Sequence, residues 1–215
     1  MKTSRFIILL ICIWATTVAS RPVAEMIKIP GGIFIMGPSS AGEQDTNQSI
    51  DLPTFYIDRF ETSNAEYSRI VPNHPYPKGA ERHPVTSVTW QEAQSYCEKT
   101  GKRLPTSAEW EKSARGVDAR AYPWGNKVLS EKAHPYFSGL IKRNVGLNKK
   151  DRSPYGVRDM AGSVWEWTAD VTKGKAVTRG GLWNFHLDYE YSKTYEYSFA
   201  PINKKLPFIG FRCAK

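Results

Sequence analysis

Residues 83–116, HPVTSVTWQEAQSYCEKTGKRLPTSAEWEKSARG, carry two complete helix-start signals that lie close together in the chain. In each signal a threonine precedes the helix and a glutamate follows three residues later. The pairs are Thr89 with Glu92 and Thr106 with Glu109. Such pairs form capping boxes, in which each side chain bonds the backbone of the other residue. The stretch therefore predicts two consecutive helices separated by a short connection.

The ends of both helices are also marked. The first is expected over about residues 90–100, because Gly101 follows it as a terminating residue, and the second is expected to stop at Gly116. Trp90, Ala93 and Cys97 fall on one face of the first helix, which should be its buried face.

Short strands are predicted on both sides of this helical stretch. The segments with strand-like apolar patterns are GGIFIMG (31–37), TFYIDRFE (54–61), GSVWEWTAD (162–170) and FIGFRC (208–213). SNAEYSRIV, which follows the second strand, starts a further helix with Ser63 or Asn64 as its cap. Residues 122–154 show no sustained period, and the chain contains 16 Gly and 14 Pro. This combination favours a loop-rich fold rather than a helical bundle.

The N-terminus has the pattern of an export signal. Lys2 and Arg5 precede the apolar run FIILLICIWATTV, and small residues precede a cleavage point after Ser20. We expect residues 1–20 to be a signal peptide and the protein to be periplasmic or extracellular. The alternative is that residues 5–20 stay uncleaved as a membrane anchor facing the periplasm. Removal of residues 1–20 takes away two basic residues and no acids, so the formal net charge falls from +9 to +7.

A basic exported protein has a restricted set of partners. Nucleic acid is not expected outside the cytoplasm, whereas an anionic envelope surface or an acidic protein would suit the charge. Cleavage at Ser20 would also remove Cys12 and leave Cys97 and Cys213. An even pair of cysteines in an oxidising compartment predicts a disulfide between them.

Seven segments in one order resemble a known family. They are MIKIPGGIFIMG, FYIDRFETSNAEY, residues 83–116, YPWGN, SPYGVRDMAGSVWEWTAD, TRGGLWN and GFRC. Together they are similar to the formylglycine-generating enzymes, also called sulfatase-modifying factors, from residue 26 to the end of the printed sequence. The resemblance implies one irregular α+β domain over residues 26–215, poor in regular secondary structure and with a fold related to C-type lectins. It also matches the Cys97–Cys213 pair to the family's bridge between a helix and the last strand.

The same resemblance exposes a departure at the family's active site. Those enzymes oxidise a cysteine of a sulfatase to formylglycine, using copper held by two thiolates and molecular oxygen. Aligned on Gly180 and Gly181, the two ligand positions are Phe185 and Glu190. Because Cu(I) prefers soft sulfur ligands, no copper is expected here. We therefore expect a protein without the family's oxidase chemistry.

Two other functions are open for the segment that contains Phe185 and Glu190. His186, Asp188 and Glu190 alternate and could share one face of a strand, which leaves a metal-dependent oxidase with a rearranged site as an alternative. The relation to lectins leaves a glycan-binding module as a second alternative. The interpretation we favour is a binding or assembly subunit for an envelope or secreted protein. Its docking surface would be formed by aromatic residues, namely Trp183, Phe185, Tyr189 and Tyr191.

A structural calcium ion is also implied by the resemblance. Carried over residue by residue, its ligands are the carboxylates of Asp159 and Glu166 and the carbonyls of Gly162 and Val164. Calcium prefers such oxygen ligands. The competing interpretation is that Asp159 stabilises a turn and Glu166 pairs with an arginine.

Overall fold

The computed structural model of the protein describes residues 25–37, 47–127, 144–181 and 192–215. Within these ranges it contains three helices and eight strands, and all of them are short. The helices are α1 (Asn64–Ile70), α2 (Trp90–Lys99) and α3 (Ser107–Arg115). The strands are β1 (Met26–Ile29), β2 (Gly32–Met36), β3 (Gln48–Leu52), β4 (Phe55–Asp58), β5 (Trp165–Thr172), β6 (Lys175–Arg179), β7 (Tyr197–Pro201) and β8 (Ile209–Gly210). The predicted irregular α+β architecture is confirmed.

All three helices begin at capping boxes, of which the two in front of α2 and α3 are predicted from the sequence, and Ser63 is the cap of α1. Thr89 accepts a hydrogen bond from the backbone of Glu92, and the Glu92 side chain accepts one from the backbone of Thr89. The same reciprocal pair forms at Thr106 in front of α3, and α1 begins in the same way at Ser63. Short helices of this kind depend on such caps, because few internal backbone bonds support them.

The strands form three small sheets. β1 pairs with β4 and β2 pairs with β3, each pair antiparallel. The third sheet has four strands in the order β7-β6-β5-β8, in which β8 runs parallel to β5 and the other neighbours are antiparallel. Of the helices that the structure describes, none is long and apolar enough to cross a bilayer.

Two groups of buried apolar residues organise the domain. The first lies between α1, α2 and the four-stranded sheet, and Tyr67, Tyr96 and Phe211 pack against one another in it. The second joins β1 and β4 to α3 through the fully buried Trp110. Arg212 connects the two groups. In the sequence it lies between Phe211 of the first group and Ala214 of the second.

Three of the four predicted strands are wrong in their bounds. The strand predicted over residues 54–61 is β4, which ends at Asp58. β5 starts at Trp165 rather than at residue 162, because residues 159–164 form a turn with positive φ at Asp159 and Gly162. β8 ends at Gly210 rather than at residue 213. Beyond it, the carbonyls of Phe211 and Cys213 accept hydrogen bonds from Thr62 and Asp58, so the chain leaves β5 and runs beside the end of β4.

The predicted disulfide is present. Cys97 of α2 is bonded to Cys213, with 5.7 Å between their Cα atoms and 116 residues of sequence separation. Both cysteines are fully buried in the first apolar group. The bond therefore links the first main helix to the C-terminal segment.

Replacing Cys97 and Cys213 together by Ala is expected to lower the free energy of unfolding by about 4 kcal/mol. The reason is that a closed loop of this length restricts the unfolded chain strongly. The measurement is urea unfolding at equilibrium, with the wild type in its oxidised form as the reference. A loss below about 1 kcal/mol would show that the bridge contributes little to the fold.

Candidate functional site

The predicted docking residues lie on a segment whose two ends the structure describes. Trp183, Phe185, Tyr189 and Tyr191 themselves fall in residues 182–191, which lie outside the described residues, as does Glu190. On the N-terminal side the segment follows β6 and the pair Gly180–Gly181. On the C-terminal side it is followed by residues 192–196, which lead into β7.

Arg179 holds these two ends together from inside the protein. Its guanidinium is fully buried, and it donates hydrogen bonds to the Ser107 hydroxyl at 2.8 Å and to the Tyr195 carbonyl at 2.8 Å. Its Nη1 also lies 3.1 Å from a carboxylate oxygen of Glu111, which is itself fully buried. Because Arg179 precedes the segment and Tyr195 follows it, one side chain fixes both of its ends.

The charge of Arg179 depends on that carboxylate. Burial lowers the pKa of the Arg179 guanidinium, and the nearby Glu111 opposes this effect. Burial in turn raises the pKa of Glu111, against the attraction of Arg179. Each group thus keeps its charge inside the protein because the other is present.

The glycine pair allows a close approach that no other residue would permit. Gly180 has a φ of 101°, and a Cβ there would lie 3.1 Å from the Val164 carbonyl and 3.3 Å from the Trp110 ring. The Gly180 carbonyl accepts a 2.5 Å hydrogen bond from the backbone N–H of Gly162. The glycine pair that precedes residues 182–191 is therefore bonded directly to the turn that carries the candidate calcium ligands.

Three of the four candidate calcium ligands lie in that turn, and the fourth already has a cationic partner. Asp159, Gly162 and Val164 precede β5, and a carboxylate oxygen of Asp159 accepts a hydrogen bond from the backbone N–H of Gly146. Glu166 lies in β5 and is fully buried. Arg212 donates to both of its oxygens at 2.7 Å. The structure thus contains the arginine pairing that the competing interpretation expects.

Arg212 uses its whole guanidinium in this arrangement. Besides Glu166, it donates to the carbonyls of Asp58, Arg59 and Asp159 at 3.2–3.4 Å. Burial disfavours its charge, but the negative charges of Glu166, Glu61 and Asp159 together outweigh that effect and raise the pKa of the guanidinium. Trp110 adds a 2.9 Å hydrogen bond to the same carboxylate.

Glu61 is a further acidic residue at this site, and the sequence analysis missed it. It lies between β4 and α1 and is 1% exposed, and neither of its carboxylate oxygens accepts a hydrogen bond of normal geometry, although the Ser163 side chain is near enough to oppose the rise of its pKa. Burial, followed by the charges of Asp159 and Glu166, raises its pKa well above the ordinary value. In the sequence Glu61 looks like a polar residue at the end of a strand, and only its position in the fold shows that it is buried.

The carboxylates at this site are oxygen ligands of the kind that a hard cation prefers. Glu61, Asp159 and Glu166 could carry three negative charges, and Arg212 supplies one positive charge. A buried carboxylate without a partner is costly unless it is protonated or bound to a cation. Within the described ranges, no three His, Cys, Asp or Glu side chains converge as a ready metal site, so backbone carbonyls would have to complete the coordination.

A groove reaches this site from the surface. It has a volume of about 620 Å³, and both Glu61 and Gly146 line it. Gly146 is the residue whose N–H donates to Asp159. An ion could therefore reach Glu61 without unfolding the domain.

Replacing Arg212 by Lys is expected to lower the free energy of unfolding by about 3–5 kcal/mol. Lysine lacks the planar guanidinium with its several N–H donors. Glu166 would therefore lose one of its two hydrogen bonds from residue 212, and the buried backbone carbonyls would lose their hydrogen bonds as well. The measurement is urea unfolding.

Arg103→Lys is the matched control for this change. Arg103 makes the same two-pronged pair, with both contacts to Glu109 at 2.6 Å, but its side chain is 46% exposed. We expect that control to cost less than about 1 kcal/mol. Equal losses in the two variants would contradict a special role for the buried pair.

Comparison with known proteins agrees with the fold and the motifs. The family model "Sulfatase-modifying factor enzyme 1-like domain" matches residues 15–215. The chain is 28% identical to the formylglycine-generating enzyme of Mus musculus, over 92% of this chain and 77% of the mouse protein. It is 27% identical to the inactive C-alpha-formylglycine-generating enzyme 2 of Bos taurus, over 74% of this chain and 76% of the bovine protein.

A solved structure shows the same fold at lower identity. PvdO from Pseudomonas aeruginosa superimposes with a TM-score of 0.71 at 22% identity, over 88% of this chain and 93% of that chain. The ordered motifs, the architecture and the family match over residues 15–215 agree with one another. The chain therefore belongs to the family of sulfatase-modifying factor enzyme 1-like domains.

Proposed function

We propose that this protein is an exported, non-catalytic member of the family that serves as a binding or assembly subunit for an envelope or secreted protein. The observation that carries the proposal is the identity of the two copper-ligand positions, Phe185 and Glu190. A phenyl ring has no lone pair for a metal, and a carboxylate is a hard ligand that Cu(I) does not favour. Cys97 and Cys213 cannot replace the missing thiolates because they are bonded to each other.

Overall identity does not decide between an enzyme and an inactive relative. The chain is about equally similar to the mouse formylglycine-generating enzyme and to the bovine inactive protein, at 28% and 27%. The decision therefore rests on the residues of the site. Glu190 adds a second difficulty, because a carboxylate close to a substrate thiol would raise the pKa of that thiol and disfavour the reactive thiolate.

The frame around the segment supports a role in recognition. Arg179 bonds the Ser107 hydroxyl and pairs with Glu111, and this buried anchor holds the described residues that flank positions 182–191. A loop whose ends are fixed loses less conformational entropy when it binds than a free loop does. With Trp183, Phe185, Tyr189 and Tyr191, the segment carries the residue types that dominate protein interfaces.

The proposal predicts that the purified protein makes no formylglycine. Incubation with Cu(I), oxygen and a cysteine-containing sulfatase peptide should give no aldehyde above a metal-only control, measured by mass spectrometry of the peptide. A mouse formylglycine-generating enzyme sample serves as the positive control. Aldehyde formation by this protein would instead support the alternative of an oxidase with a rearranged site.

The docking surface is tested separately. Replacing Trp183 and Tyr189 by Ala should weaken capture of the native partner from envelope extracts at least tenfold, because two aromatic anchors are removed. The matched control is Tyr56→Ala, since Tyr56 is a 43% exposed aromatic residue on β4. Unaltered capture by the double variant, at unchanged melting temperature, would exclude this surface. Binding to a glycan array, lost in the same variant, would favour the lectin-like alternative.

We also propose that the protein binds a structural calcium ion, with Glu61 added to the expected ligands Asp159, Gly162, Val164 and Glu166. What supports it is the buried Glu61 carboxylate, which accepts no hydrogen bond of normal geometry and lies close to two further carboxylates. Glu166 would contribute mainly charge, because Arg212 already occupies both of its oxygens. The ion would stabilise the fold by binding the folded chain only.

Calcium should change how stability depends on pH. Without the ion, Glu61 keeps its proton to a higher pH in the folded protein than in the unfolded chain. The free energy of unfolding therefore falls as the pH rises from about 4.5, the ordinary pKa of Glu, toward the raised pKa of Glu61 in the folded protein. Calcium should remove this fall and raise the melting temperature. Glu61→Gln should remove both the fall and the calcium effect.

The control for this experiment is Glu98→Gln, an exposed acidic residue of α2 whose change should leave both behaviours intact. Thermal unfolding with chelator and with added calcium is measured from acidic to neutral pH. A melting temperature that ignores calcium at every pH, together with metal analysis that finds none, would exclude the ion.

A further inference from the structure

Two turns meet at one end of the four-stranded sheet. Thr172 pairs with Lys175, so β5 and β6 are joined by the two-residue turn Lys173–Gly174. Lys175 pairs in turn with Pro201, the end of β7. The backbone N–H of Ile202 donates to the Gly174 carbonyl at 3.1 Å, so the chain after β7 lies beside the hairpin turn. We call residues 171–175 and 199–205 the sheet tip.

The charge of the sheet tip is of one sign. Lys173, Lys175 and Lys204 are exposed, and within the described part of the chain none of them forms an ion pair or a side-chain hydrogen bond. Lys205 is paired with Glu92 at 2.7 Å. Residues 171–178 and 197–208 contain no Asp or Glu, so three positive charges stay uncompensated there.

Apolar side chains accompany these lysines. Phe199 is 42% exposed, and Pro201 is exposed as well. Val171 is 43% exposed, but it pairs with Ala176 and so lies on the other face of the sheet. Phe199 pairs with Val177, whereas the neighbouring pair Ala176 and Ala200 is buried in the core. Because side chains alternate along a strand, Lys175, Val177, Phe199 and Pro201 share the face directed away from the core. Cationic and apolar groups therefore share one surface.

Lys173 occupies an unusual backbone position within this surface. Its φ is +47°, and that of Gly174 is +74°. Turns of this type favour Asn, Asp or Gly at the first position, because a left-handed conformation is unfavourable for a long side chain. The chain thus has a lysine at the most protruding point of the hairpin, at a position where asparagine would suit the backbone better.

We propose that the sheet tip rests on an anionic lipid bilayer. Lysines near a negatively charged membrane surface each contribute to attraction, and partly exposed apolar side chains can enter the headgroup region beside them. An acidic protein is the other occupant with the right charge. Protein interfaces, however, are depleted in Lys and rely on large buried anchors, and the sheet tip offers several lysines with only a small apolar area.

This inference depends on export to a compartment that borders a membrane, and it does not depend on the docking segment. The sheet tip involves no residue of 182–191. Unaltered capture by the Trp183 and Tyr189 variant, which would exclude the docking surface, would therefore leave the lipid contact standing. Failure of the lipid contact would likewise leave the docking proposal standing.

The test is co-sedimentation of the full chain with vesicles, with its N-terminus identified by mass spectrometry. Vesicles of phosphatidylcholine containing about 30% phosphatidylglycerol should bind the protein, and vesicles of phosphatidylcholine alone should bind it much less. Each lysine should contribute about fivefold to partitioning, so K173Q/K175Q/K204Q should reduce it roughly a hundredfold. Raising the salt from about 0.1 M to 1 M should weaken wild-type binding strongly.

The matched control is K28Q/K149Q/K150Q, which removes the same formal charge from exposed lysines outside the sheet tip. Its loss should be less than about tenfold, and both variants keep the same N-terminal region. As a local measurement, an amine-reactive label should be excluded from Lys173, Lys175 and Lys204 by anionic vesicles while still reacting with Lys149 and Lys150.

Three results would overturn the proposal. The first is equal losses in the two triple variants. The second is equal labelling of all five lysines with and without vesicles. The third is binding to polyglutamate that requires the sheet tip, without binding to anionic vesicles, which would assign the surface to an acidic protein.

Discussion

The buried pair of Arg212 and Glu166 is the interaction on which the rest of the domain depends. Its five hydrogen bonds reach β5, the end of β4 and the turn at Asp159, and these parts belong to different sheets and different apolar groups. An ion pair without exposure is stable only when every donor and acceptor is used. The strands of this fold are short and lie in three separate sheets, and the Arg212 guanidinium bonds parts of two of them to each other.

A second buried arginine is paired with a carboxylate in the same way. Arg179 is also fully buried, has a carboxylate partner, and donates to groups that precede and follow the docking segment. Trp110 lies between the two networks, since its ring faces Gly180 and its N–H donates to Glu166. Trp110 therefore connects the glycine pair that follows β6 to the network around Glu166.

The sequence predicts the local structure of this domain well and its long-range contacts only in part. Capping boxes such as Thr89 with Glu92 are short-range signals, and the structure contains all of those expected. The bounds of β5 and β8 are wrong because they are set by partners far away in sequence, namely the turn at Asp159 and the backbone of residues 58–62. Burial of Glu61 escapes the sequence for the same reason, since no periodic pattern distinguishes it from an exposed acid.

The position of the disulfide and of Arg212 has a consequence for the timing of folding. Residues 209–215 supply a strand to the four-stranded sheet, the central guanidinium, one half of the disulfide and the backbone partner of Arg103. During synthesis, the contacts of both apolar groups with this segment cannot form until it has emerged. Until then aromatic residues of the domain stay exposed, and the bonds made by residues 209–215 form together in a single late step.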